Sequence, residues 1–410
     1  MTSEQQVPVV IIGAGQAGLA VAYYLRRFQL VAGQDFVMLD RGPSAGGAWQ
    51  NRWSALRLGS AHRVHDLPGM DQLGISFDTA DRSLPAREVV SEYYARYETF
   101  FELDVRRPVQ VRSVRNDGAD LAVEFDGVAA VQPGVSVQPG VSVQPGVSVQ
   151  PGVRVRSEAS VPRGFFGRRS TVVHEPQPVR RIKTQVVVNA TGTWGSPFLP
   201  HYPGMEEFAG RHVHTANYQS AEDFRGLSVV VVGGGTSAVG FMLELESVAS
   251  QLTWVSRRPL DWVDGQELDL EGAVTAVALH DEAARQGQSL PSIVSGTGVP
   301  KSRRIAAGIA RGLLVAHPMF DRIAADRVVW EKEIRTEIPA DAIIWATGFR
   351  PELRHLAPLK LREKAGGVTV ESATAGRDPR VFFAGYGPAA STVGANRAGR
   401  LIARHIMAMI

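Results

Sequence analysis

A chain of 410 residues, 44% of them apolar, is too long for one ordinary buried core and has the material for two. Its formal net charge of +3 comes from lysines and arginines scattered along the chain, which excludes the basic stripe of a nucleic-acid binder. It contains no cysteine, which excludes disulfides, thiolate metal ligands and any cysteine nucleophile or redox pair.

The start of the chain is polar and lacks the basic and apolar stretches of a secretory signal. No apolar run approaches the ~20 residues that span a bilayer, so a cytoplasmic protein with no membrane partner is expected. Residues 7–12 form a short apolar run that opens directly into Gly13-Ala14-Gly15-Gln16-Ala17-Gly18. A helix-forming segment at 19–28 and a second apolar run at 36–39 follow. Strand, glycine turn, helix, strand is the βαβ unit of a doubly wound parallel sheet. Residues 109–114 and 121–125 alternate as half-buried antiparallel strands do. From 132 to 155 the unit Gln-Pro-Gly-Val-x-Val occurs four times in succession. Within an insertion at about 127–178 it predicts a projecting loop or β-arm with no catalytic part.

The same grammar returns further on. Residues 227–232 are apolar and lead into Gly233-Gly234-Gly235-Thr236-Ser237-Ala238, then a helical stretch at 239–248 and a strand at 252–255. Residues 264–311 fit no simple period and are expected to form an extra layer over this second unit. The apolar runs 185–189 and 342–345 both end in Ala-Thr-Gly, at Ala190-Thr191-Gly192 and Ala346-Thr347-Gly348, and mark the crossings between units. The expected fold is therefore α/β, with two Rossmann-like dinucleotide-binding domains and a small antiparallel β meander. The first domain comprises 1–205 and 343–410, and the smaller second one is inserted at 206–342.

Each glycine turn carries chemistry. In Gly13-x-Gly15-x-x-Gly18 the glycines permit a tight turn, close approach of backbone to a pyrophosphate and close packing of helix on strand. Asp40 ends the second strand, where a carboxylate accepts hydrogen bonds from ribose hydroxyls. The second turn, Gly233-x-Gly235-x-x-Ala238, has no such acid; Ser256-Arg257-Arg258 stands there, and two guanidiniums suit a 2′-phosphate. That favours NADPH at the second site. Two nicotinamide sites would leave no acceptor between them, so FAD is expected at the first. Candidate cofactor-binding residues are Gly13, Gly15, Gln16, Ala17, Gly18, Asp40, Arg41, Val111, Thr191, Gly192 and Gly385 for the first. For the second they are Gly233, Gly235, Thr236, Ser237, Ala238, Arg257, Arg258, Thr347 and Gly348. No metal site is expected.

Further motifs carry a resemblance. Gly46-Gly47-Ala48-Trp49 follows the first unit, and Phe208-x-Gly210-x-x-x-His214-x-x-x-Tyr218 stands immediately before the second. With Ala346-Thr347-Gly348-Phe349, these are similar in kind and order to the class B flavoprotein monooxygenases, in the flavin-containing monooxygenase branch. The resemblance covers most of the chain outside the repeat arm and residues 264–311. It implies that NADPH reduces FAD and that O₂ then adds to the flavin. The resulting hydroperoxide would pass one oxygen to a nitrogen or sulfur of a small-molecule substrate. Tyr218, where a tryptophan would mark Baeyer–Villiger oxygenation, favours the heteroatom; NADPH oxidase or flavin reductase activity without oxygen transfer is the other alternative.

The motif histidine, His214, reads as a general base, a core residue or a hinge, and in the resembling family its motif shapes the nucleotide pocket and links the domains. Trp49 and Trp53 read either as core or, beside Gly47, as a wall to the flavin. The chain departs from the pattern twice: Gly59 and Ser60 stand where animal members have an asparagine near the flavin, and Tyr386 follows Gly385 where an aspartate is common. Ser60, His214 and Tyr218 are the catalytic candidates. Pocket residues are expected from 54–70, 194–220 and 264–320, and a homodimer would be unsurprising.

Overall fold

The computed structural model describes residues 5–61, 64–127, 179–263, 270–290, 298–332 and 335–410. The repeat at 132–155 lies outside the described residues. So do the expected projecting arm and parts of 264–311.

Strand β1 (Val9–Ile12) is buried at every position, as a central strand of a parallel sheet must be. It pairs in parallel with β2 (Phe36–Leu39) on one side, Val9 opposite Phe36, and with a later strand, Val186–Asn189, on the other. Helix α1 (Gln16–Arg27) connects β1 to β2, and α2 (Ala86–Phe100) leads towards the short strand Val105–Arg106 that extends the sheet beyond β2. Next come β3 (Val109–Asp117) and β4 (Asp120–Gly127), an antiparallel pair turned at Gly118, then β5 (Arg180–Thr184). With Gln5–Gln6 at its edge these make the four-stranded meander. Strand β6 (Val186–Asn189) returns the chain to the first sheet.

The second sheet is wholly parallel, in the order β9, β8, β10, β7. These are β7 (Arg211–His214), β8 (Ser228–Val232), β9 (Gln251–Val255) and β10 (Ala342–Trp345). Helix α3 (Thr236–Leu245) follows β8. Both fingerprint helices begin earlier than apolar periodicity suggests, at Gln16 rather than 19 and at Thr236 rather than 239. Their first turns are small and polar because they face the turn rather than a core, so periodicity does not register them.

Helix α4 (Leu270–Arg285) departs from expectation: it does not cover the second unit. A Cβ at Gly387 would lie 3.0 Å from the Cβ of Ala284, and Ala284 packs with residues of the first sheet and the meander. Ala284 makes that close approach, and it and its neighbour Ala283 are both buried. Helix α5 (Arg303–Ala310) does lie over the second unit, Gly308 against Leu243. A three-stranded antiparallel sheet at Arg322–Ala324, Arg327–Trp330 and Thr336–Pro339, not foreseen, fills the crossover to β10.

The chain then re-enters the first sheet through β11 (Asp378–Phe383), parallel to β6, and ends in α6 (Thr392–Met407). Gly399 of α6 lets that helix close on Ala20 of α1, where a Cβ would meet the Ala20 backbone at 2.9 Å. Among the described residues no helix is long and apolar enough to cross a membrane.

Candidate functional site

The two glycine turns are built alike. Gly13, at φ +104°, donates its N–H to Leu39 O at 2.8 Å, and a Cβ on it would stand 2.5 Å from Ala190 O. Gly233 donates to Val255 O at 2.9 Å, and its Cβ would stand 2.3 Å from Ala346 O. Ala190 and Ala346 in turn donate to Ile12 O and Val232 O, each at 2.8 Å. The repeated Ala-Thr-Gly is thus the partner surface of each glycine turn. Alanine is small enough there, and Gly192 and Gly348 take the positive φ that ends each strand, +63° and +79°.

At the first turn Gly15 caps α1 with its side open: a Cβ would meet only Gly47 Cα, at 3.8 Å. Gly18 has no such room, since a Cβ would stand 2.0 Å from Gly13 O. The first turn of α1 holds no acidic residue, so its amides present an uncompensated positive end. Asp40 accepts from Ala14 N at 2.7 Å and from Gly42 N at 2.8 Å, and Arg107 Nε stands 3.4 Å away. Arg107 is itself clamped by Glu98 through two 2.7 Å bonds. Asp40 is therefore oriented by the turn it serves. It lines a cavity of about 390 Å³ together with Gly13, Arg41, Val111, Thr191 and Glu352. A glycine cradle, a helix N-terminus and a buried carboxylate beside a cavity of that size fit a dinucleotide.

The other first-site candidates divide. Gln16 is held by Tyr94, which donates to its Oε1, and donates to His65 O and Asn396 Oδ1 at 3.1 Å each. A Cβ on Gly385 would lie 3.2 Å from Ala17 Cβ, which brings the end of β11 against the start of α1. Trp49 is buried in the first core. Trp53, read as core or as a flavin wall, packs in the second unit's core against Tyr218 and Phe241. Tyr386 is turned inward, its hydroxyl accepting from Val368 N at 3.0 Å. Ser60, placed near the flavin by resemblance, is exposed instead. Its hydroxyl donates to Arg57 O at 3.1 Å within its own turn, and it lines neither cavity.

At the second turn, Trp254 Nε1 donates to Gly233 O at 2.7 Å and fixes the glycine from below. Thr236, Ser237 and Ala238 open α3. Arg257 and Arg258 are exposed beyond the end of β9, with no ion-pair partner among the described residues. The strand end is pinned by Ser256, whose hydroxyl donates to Arg258 O at 2.7 Å.

His214 is buried and spends both ring nitrogens: Nδ1 accepts from Ala216 N at 3.1 Å, so Nε2 carries the proton and donates to Gly348 O at 3.1 Å. Burial holds its pKa below the usual imidazole range. Neither nitrogen is left to move a substrate proton, and the ring ties the end of β7 to Gly348, just after β10. Tyr218 donates to Glu244 Oε1 and Trp53 Nε1 to Glu244 Oε2, each at 3.1 Å. The carboxylate of α3 thus fastens a first-unit loop to the motif, and burial raises its pKa.

Glu244, Glu352 and His355 carry no signal in the sequence, because their partners lie far along the chain. Thr191 Oγ1 donates to Glu352 O at 2.8 Å and Ser196 Oγ to Glu352 Oε2 at 2.9 Å. His355 Nε2 sits 2.9 Å from Asn189 Oδ1, and burial pushes its pKa down to about 4. A histidine whose folded pKa lies below its unfolded value adds stability above the unfolded pKa, and loses it as pH falls through the window between them. Acidification from pH 6.5 to 4 is therefore expected to lower the thermal midpoint, with His355 contributing at most about 3 kcal/mol. In His355→Gln the acid limb of a midpoint-against-pH plot should be shallower; an unchanged limb would contradict this.

Between the two units lies a cleft of about 950 Å³, lined by Arg41, Arg52, Trp53, Arg87, Trp194 and Tyr218 among others. Trp194 stacks on Phe349 at 4.8 Å, joining the segments that follow β6 and β10. Of the segments expected to supply pocket residues, 54–70 contributes Ser54 to this cleft and 194–220 contributes several residues; 264–320 contributes none among the described residues.

Residues 7–268 match the pyridine nucleotide-disulphide oxidoreductase family. A flavin-containing monooxygenase from Stenotrophomonas maltophilia superposes with a TM-score of 0.70 at 28% identity, over 98% of this chain and 99% of that one. An uncharacterized oxidoreductase of Bacillus velezensis is 33% identical over 26% of this chain and 28% of its own length. Senecionine N-oxygenase from Tyria jacobaeae is 26% identical over 60% of this chain and 45% of its own. The chain thus matches less than half the length of these two curated relatives. By the match across both glycine turns, the chain belongs to the pyridine nucleotide-disulphide oxidoreductase family.

Proposed function

We propose that the protein is an NADPH-dependent, FAD-containing monooxygenase that transfers one oxygen of O₂ to a nitrogen or sulfur of a small molecule. The observation that carries this reading is the placement of the Phe208–Tyr218 motif. Its histidine is bonded to Gly348, and its tyrosine shares Glu244 with Trp53 of the first unit, which supports a seat for the motif between the two units. The family likeness supplies the two-cofactor frame, while the missing cysteines leave no dithiol to accept the hydride. The Tyria relative is named an N-oxygenase, which supports a heteroatom as acceptor.

In this reading the turn 13–18, Asp40, Arg41, Val111, Thr191, Gly192 and Gly385 hold FAD. The turn 233–238, Arg257, Arg258, Thr347 and Gly348 hold NADPH. When bound, the flavin supplies hydride acceptance and oxygen activation. The protein's own residues bind and orient the two cofactors. His214 and Tyr218 act as positioning residues that hold the units together rather than as proton carriers, and Ser60 receives no role. We place the crossings between units at Ala190–Gly192 and after β10, at Ala346–Gly348.

The overall balance is NADPH, a proton, O₂ and substrate giving NADP⁺, water and oxygenated product. Incubating FAD-loaded protein with NADPH and a thioether, a tertiary amine or a cyclic ketone tests it. Sulfoxide or N-oxide is expected. Ester from the ketone alone would overturn the heteroatom assignment, and hydrogen peroxide matching NADPH consumption with no oxygenated product would overturn oxygenation itself.

A further inference from the structure

Arg52 is half-buried, and its Nε is a buried donor with no hydrogen-bond acceptor among the described residues. It follows the short 3₁₀ turn Gly47–Asn51, whose Trp49 carbonyl accepts its backbone N–H at 3.0 Å. Its guanidinium lies over the ring of Trp194 at 4.5 Å and that of Trp49 at 5.6 Å. Burial lowers the pKa only to about 10, so the group stays charged at neutral pH. A buried charged donor without an acceptor is costly, and native proteins rarely keep one without a use.

Its surroundings repeat the pattern. The cleft that Arg52 lines also carries Arg41 and Arg87, with the amides of Gln50, Asn51 and Asn217, and no Asp or Glu among its described lining residues. Arg41 pairs with Glu352, 3.9 Å away and outside the cleft. Neither 13–18 nor 233–238 lines this space, although Arg41 and Gly195 border the first cavity as well.

We propose that this cleft is an anion-binding site, separate from both dinucleotide turns, which takes a small molecule through a carboxylate or phosphate group seated on Arg52 and Arg87. Planar guanidiniums pair with two oxygens at once, and the aromatic faces of Trp49 and Trp194 hold the Arg52 fork in place before a ligand arrives. The proposal does not depend on the reaction the protein catalyses.

Calorimetric titration of the FAD-loaded protein tests it, with inorganic pyrophosphate and succinate as probes and saturating NADP⁺ present throughout. One-to-one binding of at least one probe is expected, and the tighter one shows whether the group is phosphoryl or carboxyl. Arg52→Gln and Arg87→Ala should each weaken it by about tenfold or more. Arg404→Ala, an exposed arginine on α6, should leave it unchanged. Arg87 is exposed, so its variant is informative even if Arg52→Gln fails to fold. No binding while NADP⁺ is bound, or equal weakening by Arg404→Ala, would overturn the site. The first outcome would make the cleft part of the dinucleotide's own seat, the second a general charge effect.

Discussion

Gly18→Val yields protein that purifies colourless and does not take up added FAD. A Cβ at this position would stand 2.0 Å from Gly13 O and 3.3 Å from Ala190 Cβ, so the side chain drives α1 off β1. The helix N-terminus then no longer faces the mouth of the glycine turn, and Asp40 loses its bond to Ala14 N. Overpacking of this kind costs about 1–3 kcal/mol in stability, but the larger loss is in cofactor geometry. Gly240 provides the control. It lies within α3, where a Cβ would have nothing within 4 Å, so Gly240→Ala is expected to add up to about 1 kcal/mol and leave FAD uptake intact. Absorbance at flavin wavelengths after dialysis against FAD reads both variants. A yellow Gly18→Val protein would show that the first turn is not the flavin's seat.

The second large effect concerns the reductant. Replacing Arg257 and Arg258 together by alanine is expected to raise the KM for NADPH by about 10–100-fold and to change that for NADH little. Both guanidiniums are exposed beyond β9 and have no ion-pair partner among the described residues, so stability should hold when they are removed. The split between the two nucleotides is the informative readout. A structural defect would weaken both alike, whereas a lost 2′-phosphate contact is felt by NADPH alone. Equal KM values for NADPH and NADH in the unaltered protein would contradict the assignment before any variant is made.

Much of the frame could be read from the residues. Gly13 and Gly233 announce their strands because only glycine fits opposite Ala190 O and Ala346 O, and the repeated Ala-Thr-Gly supplies those carbonyls. The two parallel sheets and the meander follow from that grammar and from continuous apolar runs. What stayed hidden depends on contacts distant along the chain. Trp53 resembles a flavin neighbour because Gly46 and Gly47 are nearby in sequence, yet its indole N–H reaches Glu244, 191 residues away. Glu352 joins Thr191 across 161 residues, and no local pattern marks either partner. Arg52 is one arginine among many until folding sets its guanidinium over two tryptophan rings. Helix α4 belongs to a different unit from the one its place in the chain suggests, for a related reason. Ala284 is small enough to pack against either unit, and only the fold shows that it meets Gly387.

The His214 motif shows how the two kinds of reading combine. Its spacing singles out the residue but leaves base, core and hinge open. The bonds to Ala216 N and Gly348 O occupy both ring nitrogens, which is what the linking role proposed for it requires. His214→Gln should therefore disturb nucleotide binding and domain coupling more than it shifts the pH profile of kcat.

The central claim is oxygen transfer at the expense of NADPH, and isotope incorporation tests it most directly. FAD-loaded protein, NADPH and a thioether are incubated under ¹⁸O₂, and the sulfoxide is weighed by mass spectrometry. The account predicts one ¹⁸O atom in each sulfoxide molecule, with sulfoxide rising in step with NADPH consumed. Unlabelled product, or NADPH consumed with peroxide formed and no labelled sulfoxide, would contradict it.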